Sequence, residues 1–83
     1  MSSYEVETEE ILGELAPFGE ILHVKGTDGY KIGEGPVDCL DILIRVRRDV
    51  EPSSLVFILR SMGYFVEIVK ARGRRVRLVV YRV

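Results

Sequence analysis

The sequence predicts an α+β fold, a two-layer sandwich with two helices on one face of a mainly antiparallel sheet of four or five strands. Three observations carry that prediction. Runs of alternating apolar and polar residues flank two stretches of helical period. A pattern of apolar helix, aromatic residue, strand and glycine occurs from Ile11 to Gly26 and again from Val56 to Gly73. The last stretch, Phe65 to Val83, reads as a β-hairpin with the basic tip Lys70-Ala71-Arg72-Gly73-Arg74-Arg75. The element order is then (β)αββαββ, and a ferredoxin-like split βαβ arrangement plus an extra strand is the nearest familiar layout.

Tyr4, Val6 and Thr8 alternate with Glu5 and Glu7, which predicts a short strand or the start of the following helix. Thr8 is a candidate N-cap, with Glu9 and Glu10 near the positive helix end. Ile11, Leu12 and Leu15 form one apolar side, and Pro17 and Gly19 stop the helix. Glu20 to Lys25 is a strand, with Leu22 and Val24 on one face and Ile21, His23 and Lys25 on the other. Asp28-Gly29 is a two-residue turn signal, which predicts a small hairpin over Lys25 to Ile32 and a mobile connection from Gly33 to Pro36.

Val37 to Arg48 is the clearest strand. Leu40, Ile42, Ile44 and Val46 are its core face, and Cys39, Asp41, Leu43, Arg45 and Arg47 its outer face. In the second helix Pro52 suits the first helical position. Leu55, Ile58, Leu59 and Met62 share one face, widened by Val56, and Gly63 follows as the C-terminal glycine. The final hairpin has Val66 and Ile68 in its first arm, and Val76, Leu78 and Val80 in its second, with Arg72-Gly73 at the turn.

Residues 1–83 form a single small domain. A chain of this size buries about 60–65% of its extended-chain surface, so its stability is modest. Its 47% apolar composition argues against global disorder. No apolar run approaches the roughly 18–20 residues that span a bilayer, so no membrane partner is expected. Met1-Ser2-Ser3-Tyr4-Glu5 lacks the basic start and apolar core of a secretory signal. Cys39 is the only cysteine, which excludes an intrachain disulfide and fits a cytoplasmic setting. Asparagine, glutamine and tryptophan are absent, and arginine outnumbers lysine nine to three. Loss of thermolabile amides among many charges leans toward a thermophile.

The net charge of −1 hides an asymmetry. Residues 1–41 carry ten acidic and two basic side chains (2 − 10 = −8), and residues 42–83 three acidic and ten basic (10 − 3 = +7). Such a split points to nucleic acid or membrane surfaces, or to halves that neutralise each other in the fold.

Few residues support catalysis or cofactor binding. His23 is the only histidine and Cys39 the only thiol, too few ligands for zinc. No nucleophile-elbow pattern surrounds a serine. Cys39 lies between Asp38 and Asp41, which disfavour a thiolate, and the Cys-Pro-x-Pro helix start of a sulfur-carrier family is missing. The glycine-rich loop matches no phosphate motif. Asp28, Glu34 and Asp38 form an acidic-loop cation site only as a third reading, without EF-hand spacing. The reading leans away from an enzyme without excluding one, and no cofactor or metal is expected.

The basic set is the candidate site: Arg45, Arg47, Lys70, Arg72, Arg74, Arg75, Arg77 and Tyr81. Alternation sends Arg45 and Arg47 away from the core, and Arg75, Arg77, Val79 and Tyr81 likewise. Guanidinium forks bind phosphate oxygens, and an aromatic ring stacks a base. Glu67-Ile68-Val69-Lys70-Ala71-Arg72-Gly73-Arg74, after a helix, resembles the helix–strand–basic stretch of the Alba family of archaeal nucleic-acid-binding proteins. There a long helix and another hairpin follow, whereas here a strand follows. The expected function is therefore backbone binding of RNA or DNA through a basic sheet face and hairpin tip. The alternative is a homodimeric or adaptor module joined through Leu43, Val79 and Tyr81, with the arginines in surface ion pairs.

Overall fold

A computed structural model describes residues 6–32 and 35–82, without the side chains of residues 27–38. Helix α1 (Thr8–Leu15) and a 3-10 turn (Ala16–Phe18) lead into β1 (Gly19–Ile32) and β2 (Gly35–Val46). Helix α2 (Pro52–Ser61) then leads into β3 (Phe65–Arg72) and β4 (Arg75–Tyr81). The described residues thus form an α+β fold, two αββ units sharing one antiparallel sheet of order β1-β2-β4-β3. β2 and β3, each antiparallel to β4, run parallel to one another and are joined by α2, with β4 filling the gap.

The order differs from (β)αββαββ. Val6 and Glu7 are not in a strand, and the rest of the proposed leading strand, Tyr4 and Glu5, lies outside the described residues. α1 begins at Thr8, the expected cap, so the observed cap lies one residue earlier. Glu7 is the N-cap, its carbonyl accepting from Ile11 N–H at 3.0 Å. Its own N–H donates to the Tyr64 hydroxyl at 3.0 Å, which ties the start of α1 to the end of α2.

α2 follows its sequence signals closely. Pro52 opens it, and Leu55 and Leu59 are its buried residues. Gly63 takes φ 94°, Gly63 N–H donates to the Arg60 carbonyl and Tyr64 N–H to the Leu59 carbonyl. These are the two bonds of a Schellman motif, which satisfy carbonyls the helix leaves unpaired.

Two local expectations fail in β1. Asp28-Gly29 does not close a hairpin. β1 runs through it, and the register shifts between Thr27 and Tyr30 instead. Ile32 pairs with Gly35, so Gly35 and Pro36 are strand residues, while Gly33 and Glu34 lie outside the described residues. A second register shift falls between Ile21 and His23, leaving Leu22 as the extra residue. It reverses the alternation, so Ile21 and Val24 pack on the core while His23 and Lys25 keep the outer phase. A β-carbon on Gly19 would collide with the Arg45 carbonyl oxygen and come within 2.9 Å of Val46 Cα. Glycine there lets β1 close against β2.

The core lies between the helices and one sheet face. Ile11, Leu15, Leu55 and Leu59 meet Ile42, Ile44, Val76, Leu78 and Val80, all fully buried. Burying such side chains contributes roughly 1.5–3 kcal/mol each. The opposite sheet face has no helix over it among the described residues, and it carries the charge. β2 ends at Val46, not Arg48, because Arg47 N–H turns to the Phe18 carbonyl at 2.9 Å. No helix among the described residues is long and apolar enough to cross a membrane.

Candidate nucleic-acid interface

Strand register sorts the open face into rows across the sheet. Glu20, Arg45, Arg75 and Arg72 stand directly opposite one another in the order β1-β2-β4-β3. The next row is His23, Leu43, Arg77 and Lys70, followed by Lys25, Asp41, Val79 and Glu67. Cys39, Tyr81 and Phe65 complete the far end. The face therefore grades from cationic beside the β3–β4 turn to aromatic at the opposite end.

β4 supplies the middle of each row because it lies between β2 and β3. β3 supplies its cations through a β-bulge. Val66 and Ile68 share the core phase, and unbroken alternation would send Lys70 and Arg72 there as well. The register shift between Ile68 and Lys70 inserts Val69 as an extra residue. Lys70 then pairs with Arg77 and Arg72 with Arg75, both on the open face. Bulges commonly re-aim side chains in this way. The turn itself is short. Gly73 has φ 61° and Arg74 a negative φ, the pattern of a type II′ hairpin turn.

The row Arg45-Arg75-Arg72 sets three guanidiniums against one carboxylate, Glu20, whose oxygen is 3.7 Å from Arg45 Nη2. Like charges directly opposite across strands are destabilising. Lys70, Arg72, Arg74 and Arg75 have no ion-pair partner among the described residues. Arg45 Nε is buried and has no hydrogen-bond acceptor among them. A concavity of about 340 Å³ opens beside the row, lined by His23, Asp41, Leu43, Lys70, Arg72, Arg75 and Arg77.

Arg77 is already engaged. Its Nε donates to Asp41 Oδ1 at 3.0 Å and its Nη2 to Oδ2 at 2.8 Å. These bonds hold the Asp41 carboxyl below its usual range against the opposing effect of partial burial, and they push Arg77 up. The pair is diagonal, since Arg77 stands opposite Leu43 and Asp41 opposite Val79. Arg77 and Asp41 thus form a surface ion pair of the kind the alternative reading expects.

The other expected site residues divide in two. Arg45, Arg72 and Arg75 form the row, and Lys70 joins the next one. Arg47 lies past the end of β2, its Nη1 3.4 Å from the Pro17 carbonyl and its Nε 3.7 Å from Asp49. With Arg45 and Arg74 it lines a second cavity, of about 500 Å³, at the end of the sheet. Tyr81 takes the outer phase but is only 9% exposed. Its ring stacks on Phe65 at 5.8 Å and 18°, and its hydroxyl lies 3.3 Å from Glu67 Oε1.

Among the described side chains of this face, the exposed ring is therefore Phe65, at 50% exposure. Periodicity around Phe65, the first residue of β3, gave no sign of this, because the stack depends on the pairing of β3 with β4. His23 is exposed and lines the concavity. Cys39 is buried beside Tyr81. Side chains of the acidic-loop trio Asp28, Glu34 and Asp38 lie outside the described set. No family model matches the chain, nor does any curated protein or solved structure.

Proposed function

We propose that this protein is a small non-catalytic module that binds the phosphate backbone of nucleic acid through its open sheet face. The observation that carries this reading is the in-register row Arg45-Arg75-Arg72, unbroken by a carboxylate. A fold that needed arginine only for surface ion pairs would interleave acids with them, as Asp41 does for Arg77. Here three cations stand directly opposite one another with no acid between them. A phosphate neutralises such a row and accepts charge-assisted bonds from the exposed guanidiniums of Arg72 and Arg75. Arg74 at the turn and Lys70 beside it extend the surface along a polymer.

The alternative, a homodimer or adaptor joined through Leu43, Val79 and Tyr81, has less apolar surface to offer. Tyr81 is buried, and Leu43 and Val79 are half-buried among charged neighbours.

Fluorescence anisotropy with labelled RNA and DNA, titrated over a salt series, tests the proposal. Each phosphate contact contributes about −0.7 to −0.9 to the slope of log affinity against log salt. Arg72→Ala and Arg75→Ala are each expected to weaken binding and to flatten that slope by about one contact. Absence of binding at low salt would refute the proposal. So would full affinity in a chain carrying Arg72→Ala, Arg74→Ala and Arg75→Ala together.

A further inference from the structure

We infer that the nucleic acid bound here is single-stranded, with one base stacked on Phe65 while the backbone crosses the arginine row. This rests on the phosphate-binding reading above and specifies its ligand. The two ends of the open face differ in chemistry. At one end stand Arg45, Arg75 and Arg72; at the other the Phe65 ring, half exposed and backed by Tyr81.

The aromatic end is a prepared platform. Tyr81 is held from below by burial and from the side by Glu67, 3.3 Å from its hydroxyl. Phe65 lies against it at an interplanar angle of 18°, so a third ring adds to an existing stack. Glu67 decides which part of a nucleotide fits there. Its carboxylate shares the outer phase with Phe65 and repels phosphate, which leaves the neutral base as the compatible group. Asp41, in the same row as Glu67, is neutralised by Arg77, so the path over β2 and β4 stays open.

The spacing suits a chain that bridges the two ends. Arg75 and Tyr81 are separated by six strand positions, about 20 Å at the usual rise of a strand. That distance corresponds to a footprint on the order of four nucleotides, the short end of single-strand sites. A duplex keeps its bases stacked inside. Reaching Phe65 would require flipping one out at the expense of several contacts.

Anisotropy titrations with a short single-stranded RNA and the matching duplex test this, using the wild type and Phe65→Ala. The wild type is expected to prefer the single strand, and Phe65→Ala to lower the ratio of single-strand to duplex affinity by about tenfold. Phe65→Leu keeps apolar cover over Tyr81 without a π face, so it should show the same loss if Phe65→Ala fails to fold. Phe65→Trp should retain affinity, and its fluorescence, unique in a chain without tryptophan, should be quenched by the single strand. Preference for duplex, or an unchanged affinity ratio in both Phe65→Ala and Phe65→Leu, would overturn the inference while leaving backbone binding intact. Loss of all wild-type binding would instead remove the reading beneath it.

Discussion

Replacing Arg75 should make the protein more stable. Arg75 stands between Arg45 and Arg72 in one row, so it enters two directly opposed like-charge pairs. At a side-chain separation of about 5 Å and a water-like dielectric, each pair costs about 0.8 kcal/mol. Cross-strand charge pairs fall in the range of roughly 0.2–1 kcal/mol. Two pairs, reduced by screening, come to about 1 kcal/mol. Arg75 is exposed, so its removal leaves no cavity. Arg75→Gln is therefore expected to raise stability by about 1 kcal/mol at low salt, equivalent to roughly 4–8 °C in Tm for a domain of this size. Urea unfolding monitored by circular dichroism reads the change as a shifted midpoint at constant slope. At 1 M salt the screening length falls to about 3 Å, shorter than the pair separation, and most of the gain should disappear. Arg75→Lys, which keeps the charge, should behave like the wild type. The reasoning fails if Arg75→Gln destabilises the fold, or if its effect is the same at both salt concentrations. Coupled to weaker nucleic-acid binding, a stabilised variant would mark the row as a place where function is kept against stability.

Two further outcomes follow from the same face. Asp41→Asn removes the fork that holds Arg77. The Asp41 carboxyl is held down in the fold, so its stabilisation is present above the unfolded value and lost as pH falls through the folded one. The variant should be less stable than the wild type near neutrality, and their urea midpoints should converge in acid. A gap that persists below the carboxylate range would show that Asp41 acts by packing. Gly73→Ala places a β-carbon at φ 61°, where nothing lies within 4 Å, so its effect is conformational alone. A loss of about 1–2 kcal/mol is expected from urea unfolding, and an unchanged midpoint would contradict the turn geometry.

Legibility in the sequence tracks how local each determinant is. α2 could be read almost residue by residue, because Pro52, the Leu55/Leu59 stripe and Gly63 act within a turn or two of themselves. The faces of β2 and β4 were legible from period-two alternation, which correctly sends Arg45, Arg75 and Arg77 outward. Asp28-Gly29 misled for the complementary reason. Its turn preference is local, and the continuous ladder between β1 and β2 overrides it. Arg47 was placed one residue too far along a strand that ends when its N–H bonds the Phe18 carbonyl. Phe65 escaped notice because exposure on a sheet face depends on the neighbouring strand.

The sequence by itself determined the materials: a basic C-terminal half, apolar sets with the right periods, and glycines where positive φ is required. It also determined that the Phe65-to-Val83 segment contains a hairpin with a basic tip. Tertiary structure decided what that basic stretch becomes. β4 was drawn between β2 and β3 because its Val76, Leu78 and Val80 complete the core, and that non-local choice set Arg75 between Arg45 and Arg72. The extra residue at Val69 then turned Lys70 and Arg72 away from the helices and onto the open face. Strand order is fixed by burying apolar surface across the whole sheet, and the bulge shows only in the pairing of β3 with β4, so no window of neighbouring residues could reveal them.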